Sequence, residues 1–502
     1  MVGAGPVGMT VALLLARQGV PSIVLEAAPT RELVGSRSIC VQRDVLDILQ
    51  RAGVGAQVAE VGVTWTRGRT FYREHLVGEL TFPEVDDAAF PPFVNTPQTI
   101  LELLLEQRIA EEPLVELEYG SRVVGLTQDD NTVTVSTEDG RVVTGTHCVA
   151  ADGQRSAVRA CLGLSFDGIT FADRFLIADI RADLGDAPER RFYFDPPWNP
   201  GRQVLVHPQP GGVWRVDWQV SADFELTAGS LDERIRAIVG DGAYEVVWVS
   251  VYRFHQRRAS RMRVGRVLLA GDAAHVMSPF GARGLNSGIA DADNVAWKLA
   301  FERNGLAGPA LLASYEVERA AAAAENLRVT GDTMRFLVPA TDAERAHRVD
   351  VLTRSVDDVD ARVAIDSGKL AEPYFYVDSP LTTAVAGPFP REPGRARPPV
   401  PGVLCPDGQL TWGKRLRELL GERFVVLTHW CDWQPADEWE RAITEQPVPL
   451  DEDDEALVTA LRLKPRQVAV IRPDGHLAAV LTEPPGGVGP LVTEALRRAT
   501  GW

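Results

Sequence analysis

The N-terminal apolar positions divide into a short run, a glycine turn and a helix. Met1 and Val2 are followed by Gly3-x-Gly5-x-x-Gly8, and residues 6–18 are apolar on most sides, as in a helix buried against a parallel sheet. Residues 22–25 read as the next strand, ending on Glu26. The segment VQRDVLDILQRAGV places Val41, Val45, Ile48 and Leu49 at helical spacing, with Gly53 as a stop. Residues 63–82 alternate in short bursts and predict strands. Thr96 as N-cap and Pro97 at the first helical position open a helix carrying Ile100, Leu101, Leu104 and Leu105. Residues 114–118, 121–127 and 132–136 are strand-like, Asp139-Gly140 marks a hairpin turn, and 141–151 reads as one apolar strand ending in Asp152-Gly153.

From 171 to 255 the pattern changes to aromatic-rich strands, interrupted by one helix at about 231–239, which predicts a mostly antiparallel sheet covering a pocket. A strand at 266–270 and helices at 285–304 and 308–334 follow. Residues 386–402 hold six prolines and three glycines, a density that continues neither a helix nor a central strand, so a linker is expected there. Beyond it lie strands at 424–430, 467–475 and 476–481 and a helix at 491–500, with the acidic run 451–455 expected as a solvated loop.

A chain of 502 residues exceeds one core, and its 45% hydrophobic and 24% charged content is that of a soluble globular protein. No apolar run reaches the roughly eighteen residues of a membrane span. Net charge is −17, which argues against a nucleic-acid partner. The cysteines Cys40, Cys148, Cys161, Cys405 and Cys431 form no C-x-x-C and suit a reducing cytoplasm. Neither a Ser/His/Asp constellation nor histidines at metal-ligand spacing stand out, so no metal is expected.

Three motifs carry the chemistry. In the first, Gly3 permits a tight turn, Gly5 lets backbone approach a pyrophosphate, and Gly8 allows close helix packing. Glu26 lies about twenty residues on, where a carboxylate meets a ribose. The second motif is ADGQRSAVR, 151–159, and the third is GRVLLAGDAAHVMSPFGARGLNSGIADADNVAWKLA, 265–300. In each, a strand delivers an acid or glycines to a helix N-terminus, the geometry that binds phosphates.

Together these motifs resemble the single-component, FAD-dependent aromatic hydroxylases, the class of para-hydroxybenzoate and phenol hydroxylases, with GARGLNSGIADADNVAWKLA nearest the 3-(3-hydroxyphenyl)propionate hydroxylase type. The resemblance runs to Ala340, and the tail resembles a degenerate thioredoxin-like domain. It implies a multidomain α/β fold: a Rossmann-like FAD-binding domain (1–170 and 256–335), a mostly antiparallel substrate sheet (171–255) and a helical or irregular connection (336–385). The linker (386–402) and thioredoxin-like domain (403–502) complete it. Gly3, Gly5 and Gly8 would meet the pyrophosphate and Glu26 the adenosine ribose. Arg37 and Gln98 would contact the flavin side, Asp152 and Gly153 both FAD and the nicotinamide cofactor, and Arg159 would support that helix. Gly271 and Asp272 would hold the ribityl chain, Pro279 and Gly281 would line the ring, and amides around Gly284, Leu285 and Asn286 would hold its pyrimidine edge. The implied reaction is NADPH- or NADH-driven hydroxylation of a phenol by dioxygen through a flavin hydroperoxide. A polyketide or antibiotic ring is the alternative substrate, and a cytoplasmic homodimer the expected form.

Plainer readings stand beside these. Asp152 also suits a helix cap, and His275 suits packing or hydrogen bonding. Arg257 and Arg258 read as solvated, and Cys431 as packing. Tyr193, Trp198, His207, Trp214 and Trp218 are either core or pocket. A phenol must lose a proton, and Tyr193 and His207 are candidate bases by residue type alone. Only two residues precede Gly3, where a strand of roughly five or six is expected. Either that strand begins upstream of this sequence, or a stub remains; a stub predicts weak flavin retention or a non-catalytic, flavin-deficient protein.

Overall fold

The computed structural model describes residues 1–33, 35, 38–82, 88–185, 187–384 and 398–502. Its nucleotide-binding layer is a mostly parallel sheet joined at its centre by Val2, with Arg263–Val264 antiparallel at one edge. Ser22–Leu25 pairs in parallel with Val115–Glu118, and Cys148–Ala150 with Val267–Leu269. Val2 bridges both pairs in parallel, through Leu25 on one side and Ala150 on the other. The expected central strand is short, yet the residues present are bonded on both sides: Val2 donates to Val149 O (3.0 Å) and Gly3 to Leu25 O (2.8 Å).

The helix Pro6–Arg17 is buried along nearly its whole length, as its apolar sequence requires. It crosses the helix Arg283–Arg303 closely, because a side chain at Gly288 would come within 2.7 Å of Val7 Cγ2. The expected helix start at Pro97 is one residue later, at Gln98, with Pro97 as the cap. Thr96 does not cap; its hydroxyl donates to Val58 O at 3.1 Å. The stretch 141–151 is two strands, Val142–Gly145 in an antiparallel sheet and Cys148–Ala150 in the parallel one.

The sheet expected at 171–255 is wider than that range. Its eight strands run, edge to edge, His275–Val276, Tyr244–Ala259, Phe166–Ala182, Val213–Val220, Gln203–Gln209, Glu189–Phe194, Arg67–Tyr72 and His75–Thr81. The pairing is antiparallel except that Arg67–Tyr72 runs parallel to Glu189–Phe194. Alternation assigns two faces. Leu176, Ala178, Val204, Trp214, Val216 and Trp218 form an outer core with Ile235 of the helix Ala228–Val239. Phe175, Ile177, Phe192, Phe194 and Leu205 form an inner core with Phe280, Met334 and Leu352, from the nucleotide-binding side and the helices that follow it.

The tail is a mixed four-stranded sheet ordered Val448–Leu450, Val425–His429, Gln467–Ile471, Leu477–Thr482, followed by the helix Gly489–Ala499. It shares a core with the first domain, since Trp297, Phe301 and Leu311 cluster with Phe424, Val426 and Leu496. The expected linker lies outside the described residues up to 397. Its last residue, Gly402, already donates to Leu477 O (2.7 Å), and Thr383 to Ala478 O (2.9 Å), so the chain joins the tail before 403. The acidic run is no free loop: Asp454 is buried and accepts from the Thr411 amide at 3.0 Å.

Candidate active site

The glycines of the first motif differ in what surrounds them. A Cβ on Gly3 would sit 2.4 Å from Ala151 O, and one on Gly8 would sit 2.1 Å from Gly3 O, so both are needed for backbone contact. A Cβ on Gly5 would meet nothing within 4 Å. Gly5 is the N-cap of the helix Pro6–Arg17, which has no side-chain cap and no acid in its first turn. Its free N–H groups and dipole therefore face open space, as an anion site requires. Glu26 accepts from the Ala4 amide (2.8 Å) and the Ala28 amide (2.9 Å), fixing the turn from the end of the neighbouring strand. Arg31, to which sequence reasoning gave no role, lies over the same turn: it donates to Ala4 O at 3.3 Å and pairs with Glu102 and Glu106.

The three motifs converge. The Cβ position on Gly3 is 2.9 Å from Asp152 Cα, and that on Gly271 is 3.0 Å from Val7 Cγ2. Asp152 Oδ2 accepts from the Val158 amide at 3.1 Å, the capping role, while its buried Oδ1 has no partner. Gly153 has φ +74° and open space around it. Arg159 donates to Ala273 O and Gln154 O, both 2.8 Å, and so ties the second motif to the third instead of facing the groove.

Beneath the Gly271-Asp272 turn lies Asp291, which sequence reasoning missed. Its Oδ2 accepts from the Gly271 amide (2.9 Å) and meets His275 Nε2 (2.8 Å), while Oδ1 accepts from Arg319 Nε (2.5 Å). Burial works against its ionisation, but Arg319, His275 and the Gly271 amide together hold the carboxyl below its ordinary range. His275 is thus a hydrogen-bonded structural residue. Asp272 itself is half-buried in the short turn Gly271–Ala273.

The groove continues over 278–286. Pro279 is exposed between buried neighbours, and the buried Ser278 Oγ has no partner. Gly281 has φ +95° and leaves no room for a side chain, its Cβ position being 2.2 Å from Lys369 O, so it turns the loop more than it lines it. The helix Arg283–Arg303 has no side-chain cap, Gly284 is open, and Leu285 is half-buried. The free amides of a helix belong to its cap and first three residues; here the Ala282 amide already donates to Pro279 O (2.9 Å), which leaves those of Arg283 to Leu285. Asn286 falls one residue beyond; its side chain instead accepts from the Gln42 amide (3.0 Å) and donates to Cys40 O (3.0 Å), clamping a neighbouring strand. Gln98 bonds the Ser38 backbone and Glu102 (2.8 Å), and Arg37 lies outside the described residues.

Facing this groove is the inner side of the wide sheet, where Phe280 meets Phe175 at 5.4 Å and Phe192 at 6.2 Å between ring centroids. Tyr193 is on the other side, stacked on Phe71 at 5.0 Å and against Trp198, so it does not reach the groove. Trp214 and Trp218 share that outer core. His207 faces inward, edge-on to Trp65, with its buried Nδ1 unpartnered. Burial, Arg190 and Arg215 push its pKa well below the ordinary value. Sequence reasoning also passed over the polar residues sharing this face. Arg215 forms a two-pronged pair with Asp179, both contacts 2.8 Å, and Gln209 donates to Asp179 at 2.7 Å. Asp217 lies two residues further along the Arg215 strand, its Oδ1 buried and unpartnered. Burial pushes this carboxyl up to about 7, against the pull of Arg215 and with a push from Asp179.

The uncapped helix N-termini, the open space at Gly5 and Gly284, and the unpartnered Asp152 and Ser278 oxygens fit a dinucleotide running from Gly5 to Leu285. Known proteins agree. Residues 1–330 match a family described as an FAD binding domain. The 3-(3-hydroxy-phenyl)propionate/3-hydroxycinnamic acid hydroxylase of Paraburkholderia xenovorans is 33% identical over 363 residues, which are 68% of this chain and 57% of that protein. The chain therefore spans little more than half of that relative. The rifampicin monooxygenase of Streptomyces venezuelae is 34% identical over 337 residues, 65% of this chain and 69% of the relative. The solved structure of the flavin-dependent monooxygenase PieE, in complex with FAD and substrate, shares the fold with a TM-score of 0.83, covering 99% of this chain and 98% of that one at 23% identity. Among the described residues no helix is long and apolar enough to cross a membrane. With its glycine turn, DG loop and GD loop meeting along one groove inside the matched region, the chain belongs to the FAD binding domain family.

Proposed function

We propose that the protein is an FAD-dependent monooxygenase that hydroxylates a phenolic aromatic compound, using NADPH or NADH and dioxygen. The observation that carries this reading is the placement of the 278–286 loop: one side continues the dinucleotide groove, and Phe280 projects into the aromatic inner face of the wide sheet. When bound, FAD supplies electron storage and oxygen activation. The chain's residues bind and orient. The Pro6–Arg17 N-terminus holds the pyrophosphate, Glu26 the ribose, and the Arg283–Leu285 amides favour negative charge on the pyrimidine edge. Phe175, Phe192, Phe254 and Phe280 exclude water from the space between loop and sheet.

The test is reconstitution with FAD followed by a phenol panel that includes 3-(3-hydroxyphenyl)propionate. A phenol should accelerate NAD(P)H oxidation and yield a product one oxygen heavier. Lack of flavin binding, or flavin binding without stimulation by any phenol, would overturn the reading. A larger polyketide or antibiotic ring is the second substrate reading, supported by the similarity to a rifampicin monooxygenase. Stimulation by polycyclic compounds alone would select it. We place the protein in the cytoplasm as a homodimer, and we read the tail as a thioredoxin-like unit without a redox cysteine pair.

A further inference from the structure

We propose that Asp217 accepts the proton of the substrate hydroxyl, through a carboxylate oxygen presented on the inner face of the wide sheet. The inference rests on the phenol-hydroxylase reading above.

The position follows from alternation. In Val213–Val220, Trp214, Val216, Trp218 and Val220 enter the outer core, so Arg215, Asp217 and Gln219 point to the side that Phe280 and the flavin loop cover. Asp217 is paired in register with Leu205 on one side and Ile177 on the other, both members of the inner apolar core. A carboxylate between two aliphatic residues is costly unless it is bonded or used. The nearby polar groups are committed elsewhere: Arg215 and Gln209 to Asp179, and Gln219 Nε2 to Asp173 at 2.5 Å. Asp217 Oδ1 is left buried without a partner, although the residue keeps some accessible surface.

The other inward candidate is less suited. His207 holds a proton too weakly to draw one from a phenol, because burial and the charges of Arg190 and Arg215 all oppose its protonation. Asp217 is raised to about 7 and exchanges protons near neutrality. The charged and titratable groups on this face include Arg215, Asp179 and Asp173 beside it, His207 and Arg190 on the next strands, Tyr72 from Arg67–Tyr72, Tyr252 from Tyr244–Ala259, and Arg348 from the helix Asp342–Arg354. Arg190 is buried, bonded to Ser367 O at 2.6 Å, and favours an anion on this face.

The step is a single proton transfer. The phenol O–H bond breaks, its electron pair stays on the substrate oxygen, and the proton forms a neutral Asp217 carboxyl. The resulting phenolate is the better nucleophile at the ring carbon to be hydroxylated.

The experiment uses FAD-loaded wild type and the variants Asp217→Asn and Asp217→Glu, with the phenol from the panel that best stimulates wild type. An infrared pH titration should show a protonated carboxyl band with a midpoint near neutrality, absent in D217N. Ultraviolet difference spectra should show phenolate bound to wild type and neutral phenol bound to D217N. Turnover of D217N should fall by roughly 10²–10⁴-fold, with partial recovery in D217E. A stimulated wild type beside a D217N variant of equal rate and identical pH profile would overturn the assignment alone. A wild type stimulated by no phenol would overturn the phenol reading, and this assignment with it.

Discussion

Three glycines in one motif predict three different outcomes on substitution. A Cβ on Gly8 collides with Gly3 O at 2.1 Å, so Gly8→Ala should destabilise the fold by about 1–3 kcal/mol with or without cofactor. A Cβ on Gly5 meets nothing, so Gly5→Ala should keep the melting temperature of the apoprotein. It should weaken FAD binding by roughly tenfold or more, as flavin fluorescence titration would read. Gly3→Ala should lose both, because its φ of +98° and the Ala151 carbonyl each forbid a side chain. Asp217 makes a prediction of opposite sign to the ion-paired acids Asp291 and Glu318. Its folded value, about 7, lies above the ordinary 3.8, so the unfolded chain gives up its proton first as pH rises. Between those values the native state grows less stable with pH, so D217N should be more stable than wild type above neutrality; equal chemical-denaturation midpoints there would refute this. The glycines were legible in sequence because they answer a backbone requirement visible in spacing. Asp217 was not, although the alternation in VWRVDWQV is complete. Polar positions on a strand read as solvent-facing, and only a second layer from a distant part of the chain covers this face.

Among the elements, the helix Arg283–Arg303 is the one on which the proposed flavin site depends most. Its cap has no side-chain bond and its first turn has no acid, unlike Asp342–Arg354, where Thr341 and Glu344 complete a capping box. A helix left uncapped has its amides available for something else. Gly284→Asp tests this, since an acid at that position favours the helix itself while opposing negative charge beyond its end. The fold should survive, and spectroelectrochemistry should find the flavin potential lowered by roughly 10–40 mV. An unchanged potential would separate this N-terminus from the flavin. The sequence placed this helix within two residues of its observed start, because a 3.6-residue period needs only local information. It confined the sheet to 171–255 because pairing of Arg67–Tyr72 with Glu189–Phe194 joins segments more than a hundred residues apart, and no local pattern records a partner.

Across the whole molecule, the tail is attached to the flavin-binding layer by buried charge as well as apolar contact. Arg472 donates to Glu318 (2.6 and 3.0 Å) and to Asp474 (2.6 and 3.0 Å), Lys298 donates to Glu318 (2.6 Å), and Arg417 joins Asp44 and Asp47. Glu318 precedes Arg319, the partner of the Asp291 that holds the Gly271 turn, so tail docking and the geometry of that turn meet on one helix. Sequence reasoning set a boundary at 402 from proline content and could not see these pairs, since isolated arginines and acids carry no mark of their partners. Arg472→Met should cost about 3–5 kcal/mol, because it leaves two buried carboxylates short of a cation. Burial alone would raise Glu318, but Arg472 and Lys298 outweigh it and hold this carboxyl below its ordinary 4.5. The unfolded chain therefore takes up the proton first as pH falls. The stabilisation is complete above that ordinary value and is lost as pH drops through the lower, folded one. Wild-type stability should thus decline steeply from about pH 5 downward, and the decline should be shallower in Arg472→Met, whose Glu318 titrates closer to its unfolded value. Denaturation curves collected across that window decide it: parallel acid limbs for the two proteins would mean that the pair does not set the acid stability of the docked tail.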